Sequence, residues 1–259
     1  RALGDVGSAR ALLDAAGVVT EPVDGFPRAL RLIEGGVTEA LEAAPVIVQD
    51  PAAGQVVRFI GAVPERIIDL AAAPGGKALG LAGDEPDPRR LVVASDLSWS
   101  RLRRVRQNLQ RVGRAPPEGL GDPGVATVVA DGRRAPYRPM PLVLLDAPCT
   151  GTGTFRRHPD GKWRIGPEDL SSLVRVQREL LDAAAELVQP GGLLVYATCS
   201  LEAEENELQV TDFLERHRGF GVERGDVETS FLDAAGMLRV LPHQHGVDGA
   251  FAVRLRREG

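Results

Sequence analysis

Five short apolar runs, each ending at a carboxylate or a polar turn, constrain this chain more than any other feature. They are Arg66–Leu70, Leu91–Ser95, Ala126–Ala130, Leu142–Leu145 and Leu193–Ala197. Each has the length of a strand and is continuous rather than alternating, as expected of strands buried on both faces. Helical patterns separate them. Leu102, Val105, Leu109 and Val112 fall on one face of a helix expected from about Ser98 to Val112. A longer helix is expected from about Pro167 to Val188, stopping at Pro190-Gly-Gly192. A further helix is expected over Glu202–Arg216, and a last strand over Ala250–Leu255. Strands alternating with helices give an α/β fold with a doubly wound, mostly parallel sheet.

Four of the runs end at or next to an aspartate: Asp69, Asp96, Asp131 and Asp146. In open α/β sheets ligands bind beyond the carboxyl ends of the strands, so these acids share one edge. Several acids there suit a ligand with hydroxyl and amino groups, not a polyphosphate. The loop Ala72, Ala73, Pro74, Gly75, Gly76, Lys77 lets backbone approach a ligand closely, but it is neither GxGxxG nor a P-loop. Asp96 stands where such folds place the acid that binds ribose hydroxyls, and Asp131-Gly132 offers an acceptor to an adenine amino group. Adenine and ribose without phosphates point to S-adenosyl-L-methionine. Any one of these aspartates taken singly reads equally as a helix cap.

Two cysteines in 259 residues, Cys149 and Cys199, exclude a disulfide scaffold, and no spacing suggests a metal site. No run approaches a membrane span and no signal peptide is visible, so a reducing, cytoplasmic setting is expected. The chain is taken as a monomer, and its first residue, Arg1, suggests a piece of something longer. The net charge of −5 does not announce nucleic acid, yet basic residues cluster. Six arginines and no acid lie between Arg101 and Arg114; Arg156, Arg157, Lys162 and Arg164 form a second group. Such runs are also what solvated helix faces look like. Residues 1–60 read as a small α+β appendage, with a helix over Ser8–Ala16 and strands at Ala29–Ile33 and Pro45–Val48. Residues 61–259 form the main domain.

The richest stretch is Asp146-Ala-Pro-Cys-Thr-Gly-Thr-Gly-Thr-Phe-Arg-Arg-His-Pro-Asp160. It sets a carboxylate, a thiol, glycines and basic groups at one strand end. With strands ordered 3-2-1-4-5, the fourth and fifth are neighbours, so Cys149 and Cys199 should meet at one crevice. Both lie in polar turns, which argues against plain burial. The expected compartment argues against a disulfide.

Taken together, Asp69-Leu-Ala-Ala-Ala-Pro-Gly-Gly-Lys77, Asp146-Ala-Pro-Cys-Thr-Gly151, Arg156-Arg-His-Pro-Asp160, Tyr196-Ala-Thr-Cys-Ser200 and Glu205-Asn-Glu207 resemble the RNA cytosine-5 methyltransferases, the NOL/NOP2/Sun family. The Arg156–Trp163 run looks like its bacterial RsmB (Sun/Fmu) branch, which acts on 16S ribosomal RNA. Ala11-Leu-Leu-Asp-Ala-Ala-Gly17, Val48-Gln-Asp-Pro-Ala52 and Asp248-Gly-Ala-Phe251 extend the resemblance over nearly the whole chain. Two departures stand out: Ala71 occupies a position where the family often has cysteine, and nothing in residues 1–60 looks like the NusB-like domain of that branch.

The resemblance implies a Rossmann-like class I methyltransferase with a seven-stranded sheet and an RNA-recognition-like N-terminal segment. It implies S-adenosyl-L-methionine as cofactor, held by the residues above with Arg101 and Asp146, and RNA as substrate, with 16S ribosomal RNA the leading expectation and transfer RNA the alternative. It assigns Cys199 to attack C6 of cytosine, Asp146 to the cytosine edge and Cys149 to expelling the enzyme. The base that removes the C5 proton is left between Cys149 and water. Arg156, Arg157 and Lys162 are expected to hold the RNA backbone. Lys77 is open between a site role and a solvent-exposed helix start, and Trp163 between stacking a base and packing on the sheet. A different class of protein, a ribosome-assembly RNA-binding module with the same fold, is disfavoured by the presence of both cysteines and the edge acids.

Overall fold

The first pair of strands joins one that the apolar pattern does not announce to one, around Ala29–Ile33, that it does. A computed structural model describes residues 1–83, 87, 89–113 and 124–259. Within them, helix α1 (Val6–Ala15), capped by Asp5 accepting from Ser8 N, leads into strands β1 (Val19–Val23) and β2 (Phe26–Glu34). The two strands form an antiparallel hairpin closed at Asp24-Gly25, where Gly25 takes φ +77°, as a tight turn requires. Helix α2 (Val37–Ala43) follows. Ala9, Leu13, Val18, Ala44 and Val46 make a small core of their own here. The strand expected over Pro45–Val48 is a single bridge, Ala2 to Val46. Its apolar residues are divided, since Val46 faces this small core and Ile47 the large one.

Helix α3 (Pro51–Ile60), capped by Asp50 with Pro51 in its first turn, connects the two parts. Its Val56 and Phe59 pack with Phe26 and Ala29 of the hairpin on one side. On the other they meet apolar residues next to and within the large sheet's last strand, such as Ala250 and Ala252.

The large sheet contains β3 (Arg66–Asp69), β4 (Leu91–Asp96), β5 (Gly124–Val129), β6 (Met140–Asp146), β7 (Val188–Thr198), β8 (Phe220–Glu223), β9 (Leu238–Val240) and β10 (Ala250–Arg257). Their order is β5-β4-β3-β6-β7-β10-β8. The five strands from β5 to β7 run parallel, β10 is antiparallel to β7 and β8, and β9 adds to β10. Seven strands thus form the continuous path as expected, and β9 makes an eighth.

Both faces are covered. Ile67, Leu142 and Leu144 point toward helices α4 (Gly76–Leu81) and α5 (Trp99–Arg111), whereas Ile68, Val143 and Leu145 point toward α6 (Pro167–Glu186) and α7 (Glu207–Arg216). Adjacent residues of one strand therefore serve opposite cores, which is why these strands read as unbroken apolar runs. Ile68 is fully buried, and trimming it to Ala would cost about 2–5 kcal/mol.

Some boundaries differ from the pattern. The long helix ends at Glu186, and Pro190-Gly-Gly192 lies inside β7 rather than stopping a helix. The helix expected over Glu202–Arg216 starts at Glu207, after a short 3-10 turn at Ala203–Glu205. On α5 the leucines and Val105 are buried and Arg101, Arg103, Arg104 and Arg106 exposed; Arg114, the end of that basic run, lies outside the described residues. Among the described residues no helix is long and apolar enough to cross a membrane.

Candidate active site

Parallel pairing of β6 with β7 places Asp146 opposite Ala197. The turns that follow the two strands therefore run side by side. They bring Cys149 Sγ to 3.4 Å from Cys199 Sγ, both as free thiols. The expectation that two residues fifty positions apart meet at one crevice is met through strand order alone.

On the neighbouring strand, β3 ends at Asp69 and the chain turns through Ala71–Gly75 into α4, whose first turn carries Lys77. Lys77 Nζ reaches back to Asp146 Oδ2 at 2.7 Å, so its position is in the site rather than in solvent. Burial works against this ammonium, but Asp146 beside it outweighs burial and holds Lys77 above its ordinary pKa. The thiols are polarised in opposite directions. The hydrogen bond from Cys149 pulls Cys199 below the usual thiol value; burial and Asp146 oppose this and the Lys77 charge assists it. The same contact with Cys199, together with burial, pushes Cys149 well above that value. Of the two thiols, Cys199 is the one this arrangement makes easier to ionise, with Cys149 as its donor.

Asp69 lies beneath the pair. It is fully buried, neither carboxylate oxygen meets a hydrogen-bond partner, and burial plus the Asp146 charge push it up to about 8. The Ala71 amide lies close enough to soften that rise without forming a hydrogen bond of good geometry. At neutral pH Asp69 is therefore largely uncharged, which leaves Lys77 to Asp146 and Cys199.

A cleft of about 530 Å³ opens over these groups. Ala73, Lys77, Asp146, Cys149 and Cys199 line it, together with Asp96, Arg101, Asp131 and Gly132. Asp96 is almost fully buried. Its oxygens accept from Ala73 N (3.3 Å) and Ser98 N (2.9 Å), so it ties the loop after β3 to the start of α5. Arg101 donates to Ala73 O and lies 3.6 Å from Asp96. Ala72 is held by Ser95 O, and Asn108 donates to Pro74 O. Gly75 has φ +104°, and a Cβ there would stand 3.0 Å from Val105, so only glycine lets the loop lie against α5. A Cβ on Gly76 would strike the Gln49 side chain. Asp131 departs from a free acceptor, because Arg133 already holds both of its oxygens and also reaches Glu179. An adenine amino group has to compete with that guanidinium. A second cleft of about 350 Å³, between the hairpin and α3, contains none of the reactive groups.

The basic residues expected at an RNA backbone divide. Arg157 is paired with Asp248 (2.5 Å) and lies 3.8 Å from Asp50; Arg156 approaches the same two carboxylates at 3.6 and 3.4 Å. This clasp joins three segments far apart in sequence: the start of α3, the turn after the Cys149 loop and the approach to β10. Lys162 has no carboxylate partner among the described residues and lies over the ring of Trp163, 5.1 Å from its centroid. Trp163 is 81% exposed, which excludes packing on the sheet.

Sequence reasoning assigned no role to the groups that hold the thiol turns. Glu205, Asn206, Gln177, Thr150, Thr198 and Ser200 form a buried polar network behind the cysteines. Its sign in the sequence is the run Glu205-Asn-Glu207, which belongs to the resemblance but was given no role.

With this geometry in hand, the chain can be set beside known proteins. Residues 62–256 match the family model described as 16S rRNA methyltransferase RsmB/F. The Ribosomal RNA small subunit methyltransferase B of Yersinia enterocolitica is 37% identical over 258 residues, covering 94% of this chain and 55% of that protein. The chain thus spans about half the length of the curated relatives it matches. Among solved structures, a methyltransferase homolog protein from Pyrococcus horikoshii superposes with a TM-score of 0.77 at 26% identity, covering 98% of this chain and 83% of that one. NSun6 from Pyrococcus horikoshii with SFG gives 0.70 at 29% identity, covering 82% of this chain and 53% of that one.

Proposed function

Because the chain belongs to the 16S rRNA methyltransferase RsmB/F family, we propose that it methylates C5 of a cytosine in 16S ribosomal RNA with S-adenosyl-L-methionine as cofactor. The observation that carries this reading is the polarised thiol pair: two free cysteines 3.4 Å apart, beside a lysine–aspartate pair, at the mouth of a cleft. The cleft's residues fit the cofactor. Its lining includes the small residues Ala71 and Ala73, Asp96 sits where a ribose would be met, and Arg101 lies 3.6 Å from Asp96. Residues 72–77, Asp96, Arg101, Asp131, Gly132 and Asp146 would hold it. When bound, it supplies an electrophilic methyl group on sulfur.

C5 of cytosine is a weak nucleophile, and the thiols supply the remedy. The Cys199 thiolate adds to C6, forming an S–C6 bond while the C5=C6 electrons move toward C5. Asp146, paired with Lys77, accepts from the amino edge of the base and orients it. Once C5 carries the methyl group, its proton leaves to water, the C5=C6 bond re-forms and the S–C6 bond breaks. Cys149, held as a thiol, donates to the departing Cys199 sulfur through the same contact that lowers Cys199 in the resting state. A cytosine in a stem has to be flipped out to reach these atoms, whereas a loop base is closer to hand.

In this reading residues 61–259 carry catalysis and residues 1–60 contribute to RNA recognition. Lys162 and Trp163 face the RNA, joined by the exposed parts of Arg156 and Arg157. Two unpaired thiols at the proposed reacting centre suit a reducing, cytoplasmic compartment.

The test uses 16S rRNA in which 5-fluorocytosine replaces cytosine. Fluorine cannot leave C5 as a proton does, so the adduct persists and runs as a shifted band on a denaturing gel. The band is expected to need the cofactor, to vanish in Cys199→Ala and to remain in Cys149→Ala. A band that depends on Cys149 instead reverses the roles. No band, with cofactor binding demonstrated, overturns the covalent route.

A further inference from the structure

Cys149 and Cys199 are each held from both sides, and the two holdfasts are consecutive residues. Behind Cys149, Glu205 is fully buried and accepts from Thr150 N at 2.9 Å and from Thr150 Oγ1. Gln177 Nε2 donates to Glu205 Oε1 at 2.8 Å and to Pro148 O at 2.9 Å. The residues before and after Cys149 are thus tied to one carboxylate, directly or through one amide. Behind Cys199, Asn206 Oδ1 accepts from Thr198 Oγ1 at 2.6 Å and Asn206 Nδ2 donates to Ser200 O at 3.0 Å. The residues before and after Cys199 are tied to one side chain.

We propose that Glu205 and Asn206 are positioning residues that divide the thiols between them, Glu205 fixing Cys149 and Asn206 fixing Cys199. The chemistry of each matches its task. Every group directed at Glu205 is a donor and no cation pairs with it among the described residues, so only an acceptor with two oxygens satisfies the set. Asn206 faces a hydroxyl donor on one side and a carbonyl on the other, which an amide satisfies and a carboxylate does not. The 3-10 turn at Ala203–Glu205 gives way to α7 between the two residues, so their side chains diverge to the two turns. Tyr196 OH fixes the turn by donating to Glu205 O at 2.6 Å.

Two variants separate the residues. Glu205→Gln places an amide NH2 against donors, and Asn206→Asp places a carboxylate against the Ser200 carbonyl. Each thiol is read alone, Cys149 in a Cys199→Ala background and Cys199 in a Cys149→Ala background, by its alkylation rate with iodoacetamide and peptide mass spectrometry. Glu205→Gln is expected to change the Cys149 rate about tenfold and leave Cys199 within about twofold, with Asn206→Asp doing the reverse; a misplacement near 1 Å costs a reacting pair up to ~100-fold. Equal changes at both thiols under either variant, or none, overturn the assignment. This arm makes no assumption about the reaction.

A second arm rests on the proposed cysteine roles. With unmodified 16S rRNA and cofactor, Glu205→Gln is expected to accumulate a denaturant-stable protein–RNA adduct as Cys149→Ala does, and Asn206→Asp to form less adduct than wild type. If Cys149→Ala accumulates adduct and Glu205→Gln lowers it, the positioning claim falls. If Cys149→Ala accumulates none, the cysteine roles fall, and the alkylation rates still decide the positioning.

Discussion

On the thiol side of the sheet edge, Glu205, Asn206, Thr150 and Ser200 are buried and each has a hydrogen-bond partner, so the two cysteines rest on a satisfied network. On the β3 side, a few residues away, Asp69 is as deeply buried, has no partner, and lies among the charges of Lys77, Asp146 and Asp96. One half of the edge is preorganised by hydrogen bonds; the other is tuned by electrostatics at a cost in stability. Satisfied networks fix distance, as a 3.4 Å thiol pair needs. An unsatisfied acid sets charge: by staying protonated near neutrality, Asp69 leaves the single Lys77 cation to Asp146 and Cys199.

The largest effect should come from the unsatisfied side. With a pKa raised from 3.8 to about 8, folded Asp69 keeps a proton that the unfolded chain releases. Stability therefore falls as pH rises from about 4 to about 8 and levels off above, at about 1.4 kcal/mol per pH unit from this group. Asp69→Asn removes the titration. Urea melts across that window should show the variant gaining on wild type with each pH step. Parallel curves would mean Asp69 carries no such burden, and the contrast between the two halves would collapse.

Lys77→Met strikes the same side through charge. Without the ammonium, Asp146 faces the Cys199 thiolate uncompensated, and the thiol pKa rises. Methyl transfer near neutral pH should drop about 100-fold and recover in part as pH is raised, in line with general limits on nucleophile activation. A drop of the same size at every pH would show that Lys77 acts by shape or cofactor contact instead.

What the sequence made legible follows the same division. The central strands were readable because burial on two faces forces unbroken apolar runs, and the thiol contact was readable because strand order puts β6 beside β7. The short outer strands were not: β1 and β8 are largely exposed and pair on one side only, so no periodicity marks them. Pro190-Gly-Gly192 reads as a stop but sits where β7 shifts register against β6. Within the site, the residues proposed to react were visible from type and motif. The holding role of Glu205 was not, although Glu205-Asn-Glu207 is one of the resembling runs, because Glu205 meets Thr150 and Gln177 across 55 and 28 positions, and Arg157 meets Asp248 across 91. The same distance in sequence made Arg156 and Arg157 look like free basic residues.

Asp248→Asn tests whether that clasp belongs with the satisfied half. Asp248 is nearly buried, but Arg157 is 46% exposed, so the 3–5 kcal/mol typical of breaking a buried pair shrinks to about 1–2 kcal/mol. Gly153, two residues after Gly151, donates its N–H to Cys199 O and accepts from Gly249 N, which carries the loosening toward the thiols. Denaturant melts should show that loss, and activity should fall by less than about tenfold. A larger fall in activity than in stability would move Arg157 from the frame into the reacting centre.

The smallest effect on the protein itself is expected at Trp163. With four-fifths of its surface open and only Lys162 over its ring, it contributes little to folding, and Trp163→Ala should leave stability within about 0.5 kcal/mol. An exposed indole next to a lysine is, however, a surface on which an unpaired base can stack while the cation meets phosphate. Loss of one stacked base costs about 1–3 kcal/mol, and the low end suits a ring already shared with Lys162. Binding of 16S rRNA should therefore weaken roughly fivefold or more, while the rate of methyl transfer at saturating RNA stays near that of wild type. Lys162→Ala should weaken binding more at low salt than at high, since its share is ionic. Unchanged affinity in Trp163→Ala would place this edge outside the RNA path, and a stability loss above 1 kcal/mol would show that the ring packs after all.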